Sequence, residues 1–390
     1  MKLAVIKIGA RIAAGKSTSG GATEALSIIK MLVDGGAEVH AFSKFLKKDE
    51  PIPSVEKHQI NDWRDKPVPQ DYDALVVING NVNFFGGAED PSQILNYKFI
   101  NGFKGKVFYV LCDPTLPLTQ IWPSVKKKEW GKNWKQEEIE VTRKDIVYIS
   151  QAYDLEAVDK LLKKTKIEVA DIVHYPTHFF PLQFPTNFSS NDHKVDLIYG
   201  GTFRGGKREE KMIKYYFGNK NISVEMFGKI EPKRFKKTLP KEHPQWAKAV
   251  EYTKFISRLK DGLATCIIGD KWYEGRHITQ RIYEGILAGV ITFIDIDFDP
   301  QRKIFENNKK LQDFLYVSSR QELEDKIIML KNKIRHKNKK PVDLSKESYH
   351  TDGDRTLRLL QKMQYDAVKI DWEKYCKKFT DLFIDIINKD

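Results

Sequence analysis

The stretch Leu197-Ile-Tyr-Gly-Gly-Thr-Phe-Arg-Gly-Gly-Lys-Arg208 decides how the rest of the chain is read. It runs from an apolar strand through a glycine-rich turn into the start of a helix. The glycines let the backbone come close to a ligand, and the N–H groups of a helix N-terminus favour negative charge. Arg204 and Arg208 add forked donors suited to phosphate oxygens. The stretch is a candidate diphosphate cradle, in which Gly201 and Thr202 offer backbone groups and the two arginines offer charge. An ordinary β–α turn with solvated arginines has the same spacing, so the motif needs support from elsewhere in the chain.

Strand-length apolar runs lead up to it: Leu3–Ile8, Val39–Phe42, Ala74–Ile78, Val107–Cys112, Ile146–Ile149 and Ile172–His174. Helical periodicity lies between them, as at Thr23–Leu32 and Leu155–Leu162. The pattern restarts with Val195–Tyr199, Val224–Phe227, Leu263–Ile268, Val290–Ile294 and Phe314–Val317, with helices near Lys207–Tyr216, Ile278–Leu287 and Arg320–Ile334. Strands alternating with helices imply parallel, doubly wound sheets. The proline-bearing segment Pro176–His193 separates the two sets. The expected division is a Rossmann-like lobe over 1–180, a linker over 181–193, a second Rossmann-like lobe over 194–365, and a C-terminal helix within 366–390 returning to the first lobe. An α/β fold of two such lobes facing a cleft is the GT-B type of glycosyltransferase.

Length and composition agree with about two to three domains with real cores, since 41% of the 390 residues are hydrophobic. The net charge of +13 suits a polyanionic partner, although a lysine-rich proteome gives the same balance. Three cysteines argue against a disulfide framework and for a reducing compartment. The nine histidines form no ligand cluster: His174 and His178 are four apart, but Pro176 breaks any helix between them. No apolar run is long enough to span a bilayer, and Met1–Lys7 is too quickly polar for a signal peptide. The expectation is a soluble intracellular protein without a membrane partner.

In parallel α/β sheets, ligands sit at the carboxyl ends of strands, so the residues just beyond each strand carry weight. Asp113 follows the run Val107–Cys112 and is a candidate general base, needing to reach a hydroxyl within hydrogen-bond distance. Its structural alternative is a turn acid before Pro114. Glu24 opens a helix, where an acid also complements the dipole. Gly9-Ala-Arg-Ile-Ala-Ala-Gly-Lys-Ser17 resembles a phosphate-binding loop, which keeps an NTPase as a rival. However, a true loop of that kind runs directly into its helix, whereas this one is expected to start near Thr23. In the second set, Ile267-Ile-Gly-Asp-Lys271 ends a strand at Gly269 and leads through Tyr273 to Arg281 and Glu284, three apart on one helix face. That carboxylate can accept both ribose hydroxyls of a nucleotide, with a surface ion pair as the alternative. Asp295-Ile-Asp-Phe-Asp299 reads as turn acids. Lys126, Lys127 and Lys128 lie among aromatics in Trp122–Lys135, a mixture suited to phosphates and bases. Asn83 and Phe85 follow another strand. A solvated lysine face and core phenylalanines are the alternatives.

Together these pieces resemble the phage DNA β-glucosyltransferase family that modifies 5-hydroxymethylcytosine. The matching residues are Val82-Asn-Phe-Phe-Gly-Gly87, Asp113 with Leu116-Pro117 and Trp122-Pro123, Ile198–Glu209 with Lys211-Met212, Ile267–Lys271, and Ile278-Thr-Gln-Arg281 with Glu284. They occur in family order across most of both lobes. The resemblance implies a GT-B fold, a UDP-sugar donor, most simply UDP-glucose, and double-stranded DNA containing 5-hydroxymethylcytosine as acceptor. It implies inversion at the sugar carbon and a flipped-out base. Asp113 matches the base and Glu24 an acid that holds the sugar. Arg204, Arg208 and Arg281 match a diphosphate clamp, Tyr273 a phosphate contact and Glu284 the ribose acceptor. Asn83 and Phe85 match positions near the extruded base.

By the same resemblance the expected role is protection of phage DNA from nucleases, by a monomer in the cytoplasm of the infected host cell. A divalent cation, Mg or Mn, is an open accompaniment, and no metal ligands are assigned. The sequence departs from the family pattern in the glycine-rich Ser17–Gly21 loop and in Pro114. Both border the expected sugar pocket and leave a different UDP-sugar, such as the pentose arabinose, as the alternative donor.

Overall fold

The computed structural model describes residues 1–6, 20–43, 55–59, 67–78, 95–111, 142–150, 156, 169–174, 193–202, 205–229, 235, 237, 239–269, 278–335 and 352–389. The chain forms two compact units, Met1–Pro181 with Asp371–Asp390, and Leu182–Ile370.

The first unit contains β1 (Lys2–Ile6), α1 (Gly20–Asp34), β2 (Glu38–Ser43), β3 (Val55–Gln59), β4 (Ala74–Ile78), α2 (Leu95–Gly102), β5 (Lys106–Leu111), β6 (Ile146–Ser150) and β7 (Val169–His174). The strands form one sheet in the order β3-β2-β1-β4-β5-β6-β7, and every neighbouring pair is parallel. β4 and β6 are buried at every residue. Central strands of a parallel sheet are covered on both faces, which is why these read as unbroken apolar runs. The strand order reverses between β1 and β4, the place where such sheets open a ligand crevice.

The second unit repeats the plan with β8 (Val195–Thr202), α3 (Lys207–Tyr216), β9 (Val224–Lys229), β10 (Gln245–Ala247), α4 (Tyr252–Leu259), β11 (Gly262–Ile267), α5 (Gln280–Ala288), β12 (Ile291–Asp295), α6 (Lys309–Leu315), β13 (Tyr316–Val317), α7 (Arg320–Arg335) and α8 (Asp352–Val368). Its sheet runs β10-β9-β8-β11-β12-β13, again wholly parallel. The order reverses between β8 and β11. α8 lies against the start of β12, where Gln364 Oε1 accepts the Thr292 N–H at 2.8 Å and the Gln361 amide donates to the Gly289 carbonyl. Both glutamines are buried and satisfy backbone groups that would otherwise be left without partners.

The last helix, α9 (Trp372–Ile387), belongs to the first unit. Asp371 caps it by accepting from the Lys374 N–H. Cys376, Phe379 and Phe383 are fully buried in the same cluster as Ile28, Ile29 and Leu32 of α1 and Phe108 of β5. The Phe383 and Phe108 rings lie 4.5 Å apart, and Trp372 Nε1 donates to Asp34 at 2.6 Å. Gly35 permits the close crossing, because a Cβ there would stand 2.0 Å from Thr380 Oγ1 and 2.4 Å from the Cys376 carbonyl oxygen.

Candidate functional site

The carboxyl end of β8 is built from glycine. Gly201 pairs with Gly228 of β9, and Gly228 has φ +127, a backbone shape that side chains rarely adopt. Gly206, at φ 73 and ψ −137, caps α3 without contributing a side-chain hydrogen bond. The turn therefore meets the helix through residues that leave its first backbone N–H groups approachable, as anion binding at a helix N-terminus requires. Arg208 lies half-buried on this first turn. Of the two first-turn acids, Glu209 is turned inward and accepts the Lys237 N–H at 3.0 Å, while the exposed Glu210 pairs with Lys237 Nζ at 2.8 Å.

The inner face of α3 fixes where that N-terminus points. The Tyr216 hydroxyl donates to the Cys266 carbonyl at 2.6 Å and accepts from the Cys266 N–H at 2.9 Å. The Tyr215 hydroxyl donates to Asp295 Oδ1 at 2.6 Å. Lys211 Nζ lies 2.6 Å from Asp295 Oδ2 and also bonds Asp297. Burial alone would lower the Lys211 pKa, but hydrogen bonds to Asp295 and Asp297 outweigh it and raise the value above that of an ordinary lysine. The same hydrogen bond holds Asp297 below the usual carboxylate range. Asp295 thus departs from the expectation of a turn acid: it is the buried last residue of β12, neutralised by a lysine 84 positions earlier in the chain. Asp299 does act in a turn, accepting from the Lys303 and Ile304 N–H groups at 2.9 Å each.

α5 carries the other half of the site. Gly285 lets the helix close onto the sheet, since a Cβ there would stand 2.6 Å from Thr292 Oγ1. This close approach buries Glu284, which accepts from Arg281 Nη1 at 2.7 Å. The pair is asymmetric: the Glu284 side chain is 4% exposed and that of Arg281 40%. A carboxylate so enclosed is fixed in direction, while the guanidinium still reaches solvent. Arg281 also stacks 4.3 Å from the ring centroid of Phe255 on α4.

Gly201, Thr202, Arg208, Gly269, Arg281 and Glu284 all fall in the second unit, at or following the carboxyl ends of β8 and β11, the neighbouring strands at which the sheet order reverses. Arg204 and Tyr273 lie outside the described residues. In the first unit, Glu24 is on α1, and its side chain is outside the description. Asp113, Asn83, Phe85, Lys126, Lys127 and Lys128 also lie outside it, Asp113 two positions beyond the last residue of β5 in sequence. Sequence reasoning missed Phe255 and the Lys211–Asp295 pair. Among the described residues no group of three or more His, Cys, Asp or Glu could hold a metal ion, and no described helix is long and apolar enough to cross a membrane.

Two wholly parallel, doubly wound sheets with a glycine-rich strand end and an Arg–Glu pair at the second reversal define a glycosyltransferase of the GT-B class. Residues 1–183 match the family model described as bacteriophage T4 beta-glucosyltransferase. The chain is 31% identical to the DNA beta-glucosyltransferase of Enterobacteria phage T4, across 98% of this chain and 100% of that protein. The chain belongs to this T4 β-glucosyltransferase family. Among solved structures, T4 phage BGT in complex with UDP and Mn2+ superposes with a TM-score of 0.75 at 26% identity, covering 100% of both chains. A T4 phage BGT mutant in complex with UDP-glucose gives 0.75 at 25% over the same coverage.

Proposed function

We propose that this enzyme transfers glucose from UDP-glucose to the hydroxymethyl group of 5-hydroxymethylcytosine in double-stranded DNA, with inversion at the sugar carbon. The observation that carries the donor half is the buried Glu284 carboxylate held against a half-exposed Arg281 on α5. A fixed carboxylate can accept two vicinal ribose hydroxyls, and the guanidinium beside it meets the adjoining diphosphate. The acceptor half is supported by the full-length likeness to a DNA-modifying relative and by the +13 charge.

In this reading Asp113 takes the proton from the acceptor hydroxyl. The freed oxygen attacks the anomeric carbon from the face opposite UDP, the bond from that carbon to the phosphate oxygen breaks, and a β-linkage replaces an α-linkage. Negative charge grows on the departing diphosphate. Arg204, Arg208, Arg281 and the N–H groups at the start of α3 stabilise it where it develops. Glu24 holds the sugar hydroxyls, and Asn83 and Phe85 meet the base once it has left the stack. A resident metal centre does not fit the described residues. A divalent cation carried in on the diphosphate needs no such cage. The enzyme acts as a monomer in the infected host cell, and the modified DNA resists nucleases.

The test is mass spectrometry of nucleosides after incubation of hydroxymethylated duplex with a panel of UDP-sugars. A glucosylated 5-hydroxymethyl-2′-deoxycytidine formed from UDP-glucose is the expected product. Transfer from UDP-arabinose in preference to UDP-glucose reassigns the sugar, and no product from any UDP-sugar overturns the reading.

A further inference from the structure

Gly200, third from the end of β8, has no room for a side chain: a Cβ there would stand 2.5 Å from Cζ of Phe227 and 2.5 Å from Cζ of Phe255. The missing side chain lets both rings lie against the strand, with their centroids 5.1 Å apart. Each ring lies under an arginine. Arg258 stands 5.9 Å from the Phe227 centroid and Arg281 4.3 Å from that of Phe255. The two arginines differ in their partners. Arg258 is bound by two carboxylates, Glu225 and Asp261. Arg281 pairs with Glu284 and keeps 40% of its side chain exposed.

We propose that Phe255 is a positioning residue of the donor site, whose ring face sets the plane in which the Arg281 guanidinium meets a nucleoside diphosphate. This rests on the reading of Arg281 as a diphosphate-binding residue. A single N–H···O bond to Glu284 fixes one point of the guanidinium and leaves rotation about that bond. The ring adds a flat second constraint, and a cation over a ring face is attracted by the ring's quadrupole. A guanidinium held in one plane loses less freedom when it takes up phosphate oxygens through its fork. Phe255 also abuts Gly200, so the same ring ties α5 to the strand that leads into the glycine turn.

The experiment is calorimetric titration with UDP, together with donor KM and kcat, on the wild-type chain, Phe255→Leu, Arg281→Gln, the double variant and Phe227→Leu. Phe227 packs on the same glycine but under the other arginine, so it reports plain loss of ring packing. Phe255→Leu should weaken UDP binding about three- to thirtyfold, the range of a partly buried cation–π contact. It should raise the donor KM more than it lowers kcat. In the Arg281→Gln background the same change should have little further effect on UDP binding, because the ring then has no guanidinium to orient. Phe227→Leu should bind UDP as the wild type does. Additive losses, or an equal loss in Phe227→Leu, overturn the positioning role while leaving the donor site intact. Unchanged UDP affinity in Arg281→Gln removes that arginine from the donor site, and the Phe255 proposal with it. Thermal midpoints check folding, and if Phe255→Leu does not fold, Phe255→Met carries the same comparison.

Discussion

Gly228 stands directly against Gly201: a Cβ at position 228 would lie 1.8 Å from the Gly201 carbonyl oxygen. Two glycines in register on neighbouring strands therefore set the height of the backbone from which the turn departs. Gly228→Ala must push Gly201 away and also strain a backbone at φ +127. The expected cost is about 1–3 kcal/mol in stability, with weaker UDP binding. Urea melts and calorimetry measure both, and a variant with wild-type values in each would show that the close approach is dispensable.

Asp113→Ala should abolish transfer while leaving UDP binding nearly intact, because in the proposed mechanism the base acts on the acceptor and the proposed UDP contacts lie in the other unit. Loss of a positioned base lowers rates by about 10²–10⁴. Turnover near that of the wild type would remove Asp113 from the chemistry.

Lys211→Met should destabilise the second unit by up to about 3–5 kcal/mol, since it leaves the buried Asp295 carboxylate without its nearest cation and with only Lys214, 3.8 Å away, to offset its charge. The effect depends on pH at both ends. Asp297 has a lowered folded pKa, so its contribution is present above the unfolded value of about 4 and is lost as pH falls through the folded one. Lys211 has a raised folded pKa, so its contribution is complete below about pH 10.4 and is lost as pH rises through the folded value. The stability difference between wild type and variant should accordingly be widest near neutrality and shrink in acid and in alkali. A difference independent of pH from 3 to 11, measured by denaturant melts, would contradict the assignment.

The DNA contacts should separate into two kinds. Changing Lys126, Lys127 and Lys128 together to Gln should weaken binding to any duplex and flatten its salt dependence. Phe85→Ala should spare bulk affinity but slow transfer, and a mismatched target, cheaper to extrude, should partly restore it. Binding at several salt concentrations, paired with transfer to matched and mismatched duplexes, reads both. Equal losses for both variants on both substrates would place the DNA on another surface.

The strands that the sequence revealed are those whose burial leaves no ambiguity. Ala74–Ile78 and the helix Lys207–Tyr216 carry the bounds that their apolar run and flanking glycines imply. β3, with the sequence Val-Glu-Lys-His-Gln, escaped because an edge strand carries charge. α8 escaped for the opposite reason. Its inward face includes Arg358, Gln361 and Gln364, which are buried yet break the apolar period that marks a helix. The Arg281–Glu284 pair was legible because three positions along a helix are neighbours by geometry alone. Phe255 beneath Arg281 was not, since that contact spans 26 positions and exists only once α4 and α5 are packed.

The docking of α9 on α1 has a consequence for how the protein is made. A ribosome emits the first sheet early, but the residues that cover α1, Phe379 and Phe383, are among the last twelve of the chain. Throughout synthesis of Leu182–Ile370 the apolar side of α1 lacks its native cover, while the second unit, continuous in sequence, has everything it needs to close. The unit that begins first is therefore completed last, and a nascent chain stopped before Trp372 emerges keeps an open seam on its first sheet however well its second unit has folded.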